Sequence, residues 1–173
     1  HDTVRRQRQM CIRDRLSGET TVGKHPIRCV QLMDRVARRI ERSGGLGYGK
    51  EATLRTEKQK VIQAACGLAD SIPHALLAVF TRSGLTAHQA ALLRPRSPIF
   101  AFTPQSSFCS KFTLSRGVRS FKVKFDERPR KTIANAIHFL QQERKLEEGT
   151  PIIVVSEIHR EGAAVDVILV EHS

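Results

Sequence analysis

The sequence contains no tryptophan and one tyrosine, and none of its apolar runs is long enough to cross a bilayer. Scarce aromatic rings argue against a nucleic-acid binder, which offers stacking platforms beside a clustered positive face. The missing apolar run and the absence of a secretory signal argue against a membrane or exported protein. Paired cysteine spacing is absent as well. Cys29, Cys66 and Cys109 stand alone in apolar surroundings, which reads as reduced core thiols and a cytoplasmic chain. His25, His74, His88, His138, His159 and His172 show no H-E-x-x-H or other paired-ligand spacing, and no G-x-S-x-G surrounds any serine. Neither a catalytic residue nor a metal ligand is therefore expected in this chain. Glu157, His159 and Glu161 alternate near the last turn and could approach a cation, but solvated loop charge is the commoner meaning of such a pattern.

Positive charge is what the chain has in quantity. Its formal net charge is +12 over 173 residues, with Lys, Arg, Asp and Glu interspersed rather than run together. An anionic small molecule accounts for that balance as well as a nucleic acid does. A nucleic-acid complex would weaken steeply with salt. Arg5 to Asp14 back-translate into a transposase-type sequencing adapter read in frame. Residues 1–14 are accordingly read as a disordered adapter artefact, and the chain as a truncated reading frame. They hold four Arg and two Asp, so without them the net charge is +10.

Gly18-Glu19-Thr20-Thr21-Val22-Gly23-Lys24 matches G-x-x-x-x-G-K, the frame of a phosphate-binding P-loop. A P-loop must follow a buried strand and end in Ser or Thr, and here His25 takes the place of the hydroxyl. The preceding residues are too polar for a buried strand. Pro26 can open a helix, and Ile27, Val30, Met33, Val36 and Ile40 recur at helical spacing until Gly44-Gly45. A Gly-rich polar segment follows and reads as a linker. From Glu57 helix and strand alternate: a helix, an apolar run at 75–81, a short helix, a second apolar run at 98–104, and a helical stretch at 106–116. A strand at 117–125, a helix at 130–145 and strands at 151–157 and 163–171 follow. The last two strands are joined too tightly for a crossover, which makes them antiparallel. The expected fold is an open, mostly parallel five-stranded α/β sheet with helices on both faces and an antiparallel last strand.

In such sheets ligands bind beyond the carboxyl ends of the strands, beside helix N-termini. The first strand is followed by Thr81-Arg82-Ser83-Gly84-Leu85-Thr86. Three hydroxyls, a glycine that permits close backbone approach, Arg82 and the start of a helix suit a phosphate group. The alternative is an ordinary helix cap with Thr86 as the N-cap, which requires no ligand.

Two stretches resemble pyruvate kinases. Leu16 to Glu41, "LSGETTVGKHPIRCVQLMDRVARRIE", is similar to the family's L-S-G-E-T-A-x-G-x-Y-P segment and the helix after it. Ala78 to Pro104, "AVFTRSGLTAHQAALLRPRSPIFAFTP", resembles the opening of the family's C-terminal domain: T-x-S-G-x-T/S, a helix, R-P-x-x-P-I and a strand. Arg116–Val118 and "EEGTPIIVV" fit later landmarks, so the resemblance runs from Leu16 to Val170. It implies that residues 15–44 are the last loop and helix of a (β/α)₈ barrel, 45–56 a linker and 57–173 the C-terminal regulatory domain. Ser17, Gly18, Glu19 and Thr20 would then be a barrel remnant on the nucleotide side, and the P-loop match a coincidence.

The resemblance further implies a parent enzyme that transfers phosphate from phosphoenolpyruvate to ADP with Mg²⁺ and K⁺, as a homotetramer. The family's catalytic residues lie earlier in the barrel, so this piece should bind neither ion and be inactive alone, serving allosteric binding and subunit assembly. Thr81, Arg82, Ser83, Gly84 and Thr86 match the loop that holds the phosphate of a sugar phosphate or nucleotide effector. Two departures stand out. Leu85 replaces the Arg or Thr of some regulated members, and the turn before the last strand has Gly162 but no T-N pair. A stand-alone phosphometabolite or nucleotide sensor is the alternative reading; nucleic acid and membrane are not expected partners.

Overall fold

The computed structural model describes residues 15–42, 53–113, 115–144, 146–160 and 163–173. The adapter-like residues 1–14 and most of the expected linker 45–56 lie outside them. The described residues form two units, one up to Arg42 and one from Thr53 onward.

In the first unit, α1 (Gly18–Thr21) is a single turn and α2 spans Pro26–Arg42. Residues 15–17, the described residues ahead of Gly18, are irregular rather than the end of the strand that a P-loop requires. The Ser17 carbonyl accepts from the Thr20 and Thr21 N–H groups and from both hydroxyls. The Glu19 carboxylate accepts from the Ser17 N–H at 2.9 Å. Backbone N–H groups, first its own and then that of Ser17, hold its carboxyl below the usual range. A side chain on Gly23 would meet the Glu19 carbonyl oxygen at 2.2 Å, which fixes glycine there. No residue of α2 is buried; Ile27, Val30, Leu32, Val36 and Ile40 are all exposed.

The second unit opens with α3 (Glu57–Ser71). Its capping box pairs Thr56 with Gln59: the Gln59 N–H donates to Thr56 Oγ1 and the Thr56 N–H to Gln59 Oε1, both at 3.2 Å. There follow β1 (Leu76–Phe80), α4 (Leu85–Leu93), β2 (Ile99–Thr103), α5 (Ser106–Phe112), β3 (Val118–Lys122), α6 (Pro129–Arg144), β4 (Pro151–Arg160) and β5 (Ala163–His172). The sheet order is β3-β2-β1-β4-β5, parallel throughout except for the last pair. Every residue of β1 and β2 is buried, as continuous apolar runs in a sheet covered on both faces should be. Alternation along β1 sends Leu77 and Val79 into a core with α3, α4 and α5. Leu76, Ala78 and Phe80 enter a second core under α6.

Three details differ from the sequence expectations. β3 stops at Lys122 because its register matches only the five residues of β2, Ile99↔Val118 through Thr103↔Lys122. α5 ends at Phe112, where the Ser115 N–H turns back to the Phe112 carbonyl. Of the three thiols only Cys66 is buried; Cys29 and Cys109 are partly exposed. Burial, and next the charge of Asp70, push the Cys66 thiol up to about 12.

Candidate functional site

The turn after β1 is built by its own side chains. Gly84 donates its N–H to Thr81 Oγ1 at 2.9 Å, and Leu85 donates to Ser83 Oγ at 3.4 Å. Gly84 is left-handed, with φ of 80°, and caps α4. Thr86 is therefore not the N-cap, which corrects the helix-cap alternative; it sits inside the first helical turn, 7% exposed. A Cβ on Gly84 would stand 2.9 Å from Phe108 Cδ1 and 3.2 Å from Phe112 Cζ on α5. This close approach, together with the positive φ, is what glycine is needed for.

Thr81, Arg82, Ser83 and Thr86 come together on a cleft of about 210 Å³ at the carboxyl ends of the strands. Gly84 shapes the turn without lining the cleft. The other walls come from segments that sequence reasoning does not assign to a site: Lys58 of α3, Phe125, Asp126 and Thr132 around the start of α6, and Ser156 and Glu157 of β4. Of these, Ser156 closes an apolar strand run as Thr81 does; the others share no such signal. Glu157 is not loop charge, the meaning its alternation with His159 and Glu161 suggests. It belongs to β4, which runs on to Arg160 because β5 pairs along its whole length. The side chains of His159 and Glu161 lie outside the described residues.

Electrostatically the cleft is mixed. The Arg82 guanidinium lies over the Phe125 ring, 5.2 Å from its centroid, which supports the side chain while leaving its in-plane N–H groups for an anion. Lys58 Nζ is 2.6 Å from Glu157 Oε2 and 3.4 Å from Asp166 Oδ1. Burial pulls the Lys58 ammonium down, yet Glu157 and Asp166 outweigh it and hold the group above its usual range. Asp126 accepts from the Arg128 N–H at 3.0 Å and pairs with Lys131 at 3.2 Å; these two, in that order, keep its carboxyl below the usual range. Thr132 Oγ1 accepts from the Asp126 N–H at 2.8 Å. The hydroxyls of Thr86 and Ser156, on side chains each 7% exposed, have no hydrogen-bond partner among the described residues. Buried hydroxyls left open on a cleft are places for a polar ligand atom.

Residues 59–170, more than half of the chain, match the family described as "Pyruvate kinase, alpha/beta domain". The chain belongs to the pyruvate kinase family. Plastidial pyruvate kinase 3 of Arabidopsis thaliana, a chloroplastic protein, is 33% identical over 143 residues, which cover 81% of this chain and 25% of that protein. Pyruvate kinase 2 of Synechocystis sp. is 28% identical over 141 residues, 82% of this chain and 24% of its own. The chain thus spans about a quarter of the length of these curated pyruvate kinases. A solved structure of Cryptosporidium parvum pyruvate kinase in complex with ADP superposes with a TM-score of 0.64 at 19% identity, over 70% of this chain and 24% of that one. That likeness establishes the fold. Among the described residues no group of three or more His, Cys, Asp or Glu is placed to hold a metal ion. No described helix is long and apolar enough to cross a membrane.

Proposed function

We propose that this chain is the effector-binding and assembly part of a cytoplasmic pyruvate kinase, homotetrameric when whole. The parent enzyme transfers phosphate from phosphoenolpyruvate to ADP with Mg²⁺ and K⁺, and the cleft after β1 binds the phosphate of a regulatory sugar phosphate or nucleotide. Residues 15–44 belong to the barrel's last loop and helix in this reading, with Ser17, Gly18, Glu19 and Thr20 on the nucleotide side. One observation carries the binding assignment: the unpartnered hydroxyls of Thr86 and Ser156 open on the same cleft as Arg82 and the first turn of α4. The first N–H groups of a helix lack intrahelical acceptors and carry partial positive charge, so an oxyanion there meets donors already oriented.

Thermal unfolding of the chain with and without glucose 6-phosphate, fructose 1,6-bisphosphate and AMP tests this. A ligand at a hundred times its dissociation constant adds about 2.7 kcal/mol of apparent stability. Arg82→Ala is expected to abolish that gain while leaving the unliganded transition in place, since Arg82 is exposed. Stabilisation that survives in Arg82→Ala, or no stabilisation by any phosphate ester, would overturn the assignment. Phosphoryl transfer depends on positioned metal ions and cations around the transferred group. The purified chain should accordingly form no pyruvate from phosphoenolpyruvate and ADP, and sustained turnover in a coupled assay would contradict the inactive-fragment reading.

A further inference from the structure

Over the whole chain the charges are mixed, but from Ser71 to Phe125 there are eight Lys and Arg and no Asp or Glu. That stretch supplies β1, β2 and β3, and β3 is one edge of the sheet. The Ile99 N–H donates to the Gly117 carbonyl and the Val123 N–H to the Thr103 carbonyl, so alternate residues along β3 are committed to β2. By the same alternation the N–H and C=O groups of Ser120 and Lys122 face away from β2, where no described strand pairs with them. An open row of donors and acceptors is a template for a further strand. Arg119 and Lys122 leave opposite faces of this edge, and Lys124 follows just beyond it. All three are exposed and in no ion pair among the described residues. Cations on an edge keep identical edges apart. The same charge favours a strand that bears carboxylates, because opposite charges on adjacent strands attract across the ladder. β3 itself lines no part of the cleft described above.

Other occupants fit this edge less well. A nucleic acid would use the charge but leave the ladder unpaired, and it would find no open ring on β3, since Phe121 is packed among Phe100, Phe102 and Phe139. A second copy would offer β5 at its other edge, with Glu171 and with Asp166 already held by Lys58 at 3.4 Å. That pairing would set one uncommitted carboxylate against three cations.

We propose that the β3 edge docks an extended acidic peptide segment of another protein, which adds a strand to the sheet through the open backbone groups of Ser120 and Lys122 and sets its carboxylates against Arg119, Lys122 and Lys124.

The test is fluorescence-anisotropy titration of the full chain into labelled peptides slightly longer than β3, at fixed ionic strength. The first peptide is built of glutamate and valine, and the second has lysine in place of glutamate. The third is the first with N-methyl groups along its backbone, which keep the charge and remove the donors that pair strands. The glutamate peptide is expected to bind about tenfold more tightly than either control, and the double substitution Arg119→Glu with Lys122→Glu should weaken it by about as much. Arg119→Gln with Lys122→Gln neutralises the edge without reversing it and should fall between; it decides the matter should the reversed variant fail to fold. Equal binding of the N-methylated peptide would overturn the added strand and leave only unspecific charge. Tighter binding of a single-stranded RNA oligomer would give the edge to nucleic acid instead. Self-association in sedimentation that the reversed variant abolishes would give it to a second copy. No binding of the glutamate peptide would overturn the proposal outright.

Discussion

Gly84→Ala is expected to destabilise the α/β unit by about 2–5 kcal/mol and to abolish its response to phosphate esters. Two costs combine. A non-glycine residue in the left-handed region costs about 1–2 kcal/mol. The added methyl also enters space held by Phe108 and Phe112, and such overpacking costs about 1–3 kcal/mol. The molecule contains its own control. Gly117 and Gly149 have φ of 71° and 82°, and a methyl group on either would meet nothing within 4 Å, so Gly117→Ala should incur only the backbone cost. Denaturant unfolding of the two variants side by side separates the terms, and Gly84→Asn, better tolerated in this conformation, should recover only the first. Equal losses at Gly84 and Gly117 would mean that α5 yields and that the turn is not braced by its phenylalanines. Loss of ligand response follows from geometry, because the turn that aims Ser83 and Thr86 is closed by the Gly84 N–H on Thr81.

Phe102→Ala should cost a comparable amount, about 3–5 kcal/mol. Phe102 is fully buried, stacked on Phe80 at 5.0 Å and on Phe121 at 5.6 Å between ring centroids. Six of the chain's eight phenylalanines share the layer between the sheet and α6, where close packing lets neighbours fill a cavity only in part. Two of the six, Phe80 and Phe125, also line the cleft, so ligand binding should weaken along with stability. Chemical denaturation followed by far-ultraviolet circular dichroism measures the first effect. Phe102→Leu, which keeps much of the volume, should lose less than half as much. A loss below about 1 kcal/mol for Phe102→Ala would indicate that the layer rearranges freely, contrary to close packing.

Much of this architecture is legible in the residues. The runs ending at Phe80 and Thr103 are apolar without alternation, which is what burial on both faces requires, and the tight link before Ala163 dictates an antiparallel last pair. Thr81–Thr86 can be picked out because hydroxyls, Arg82 and Gly84 are consecutive. The rest of the cleft cannot. Lys58, Asp126, Thr132 and Ser156 belong to distant segments, and they meet because β4 lies beside β1 and the start of α6 lines the same cleft. Periodicity reports which face of an element is apolar, and carries nothing about which strand is whose neighbour. Thr86 misleads for a local reason: hydroxyl residues favour the N-cap, but the turn closed by Thr81 puts the cap two residues earlier, at Gly84.

The pairing of β1 with β4 has a further consequence, in time rather than in space. Leu77 lies beside Ile153, so the central ladder joins residues from opposite ends of the unit. Contacts of such long sequence separation close slowly, because most of the intervening chain must be ordered first. During synthesis β1, β2 and β3 can emerge and pair while one edge of β1 waits open for β4. The cleft, which draws on both β1 and β4, is then completed late, and a nascent chain can sense no ligand until β4 has left the ribosome.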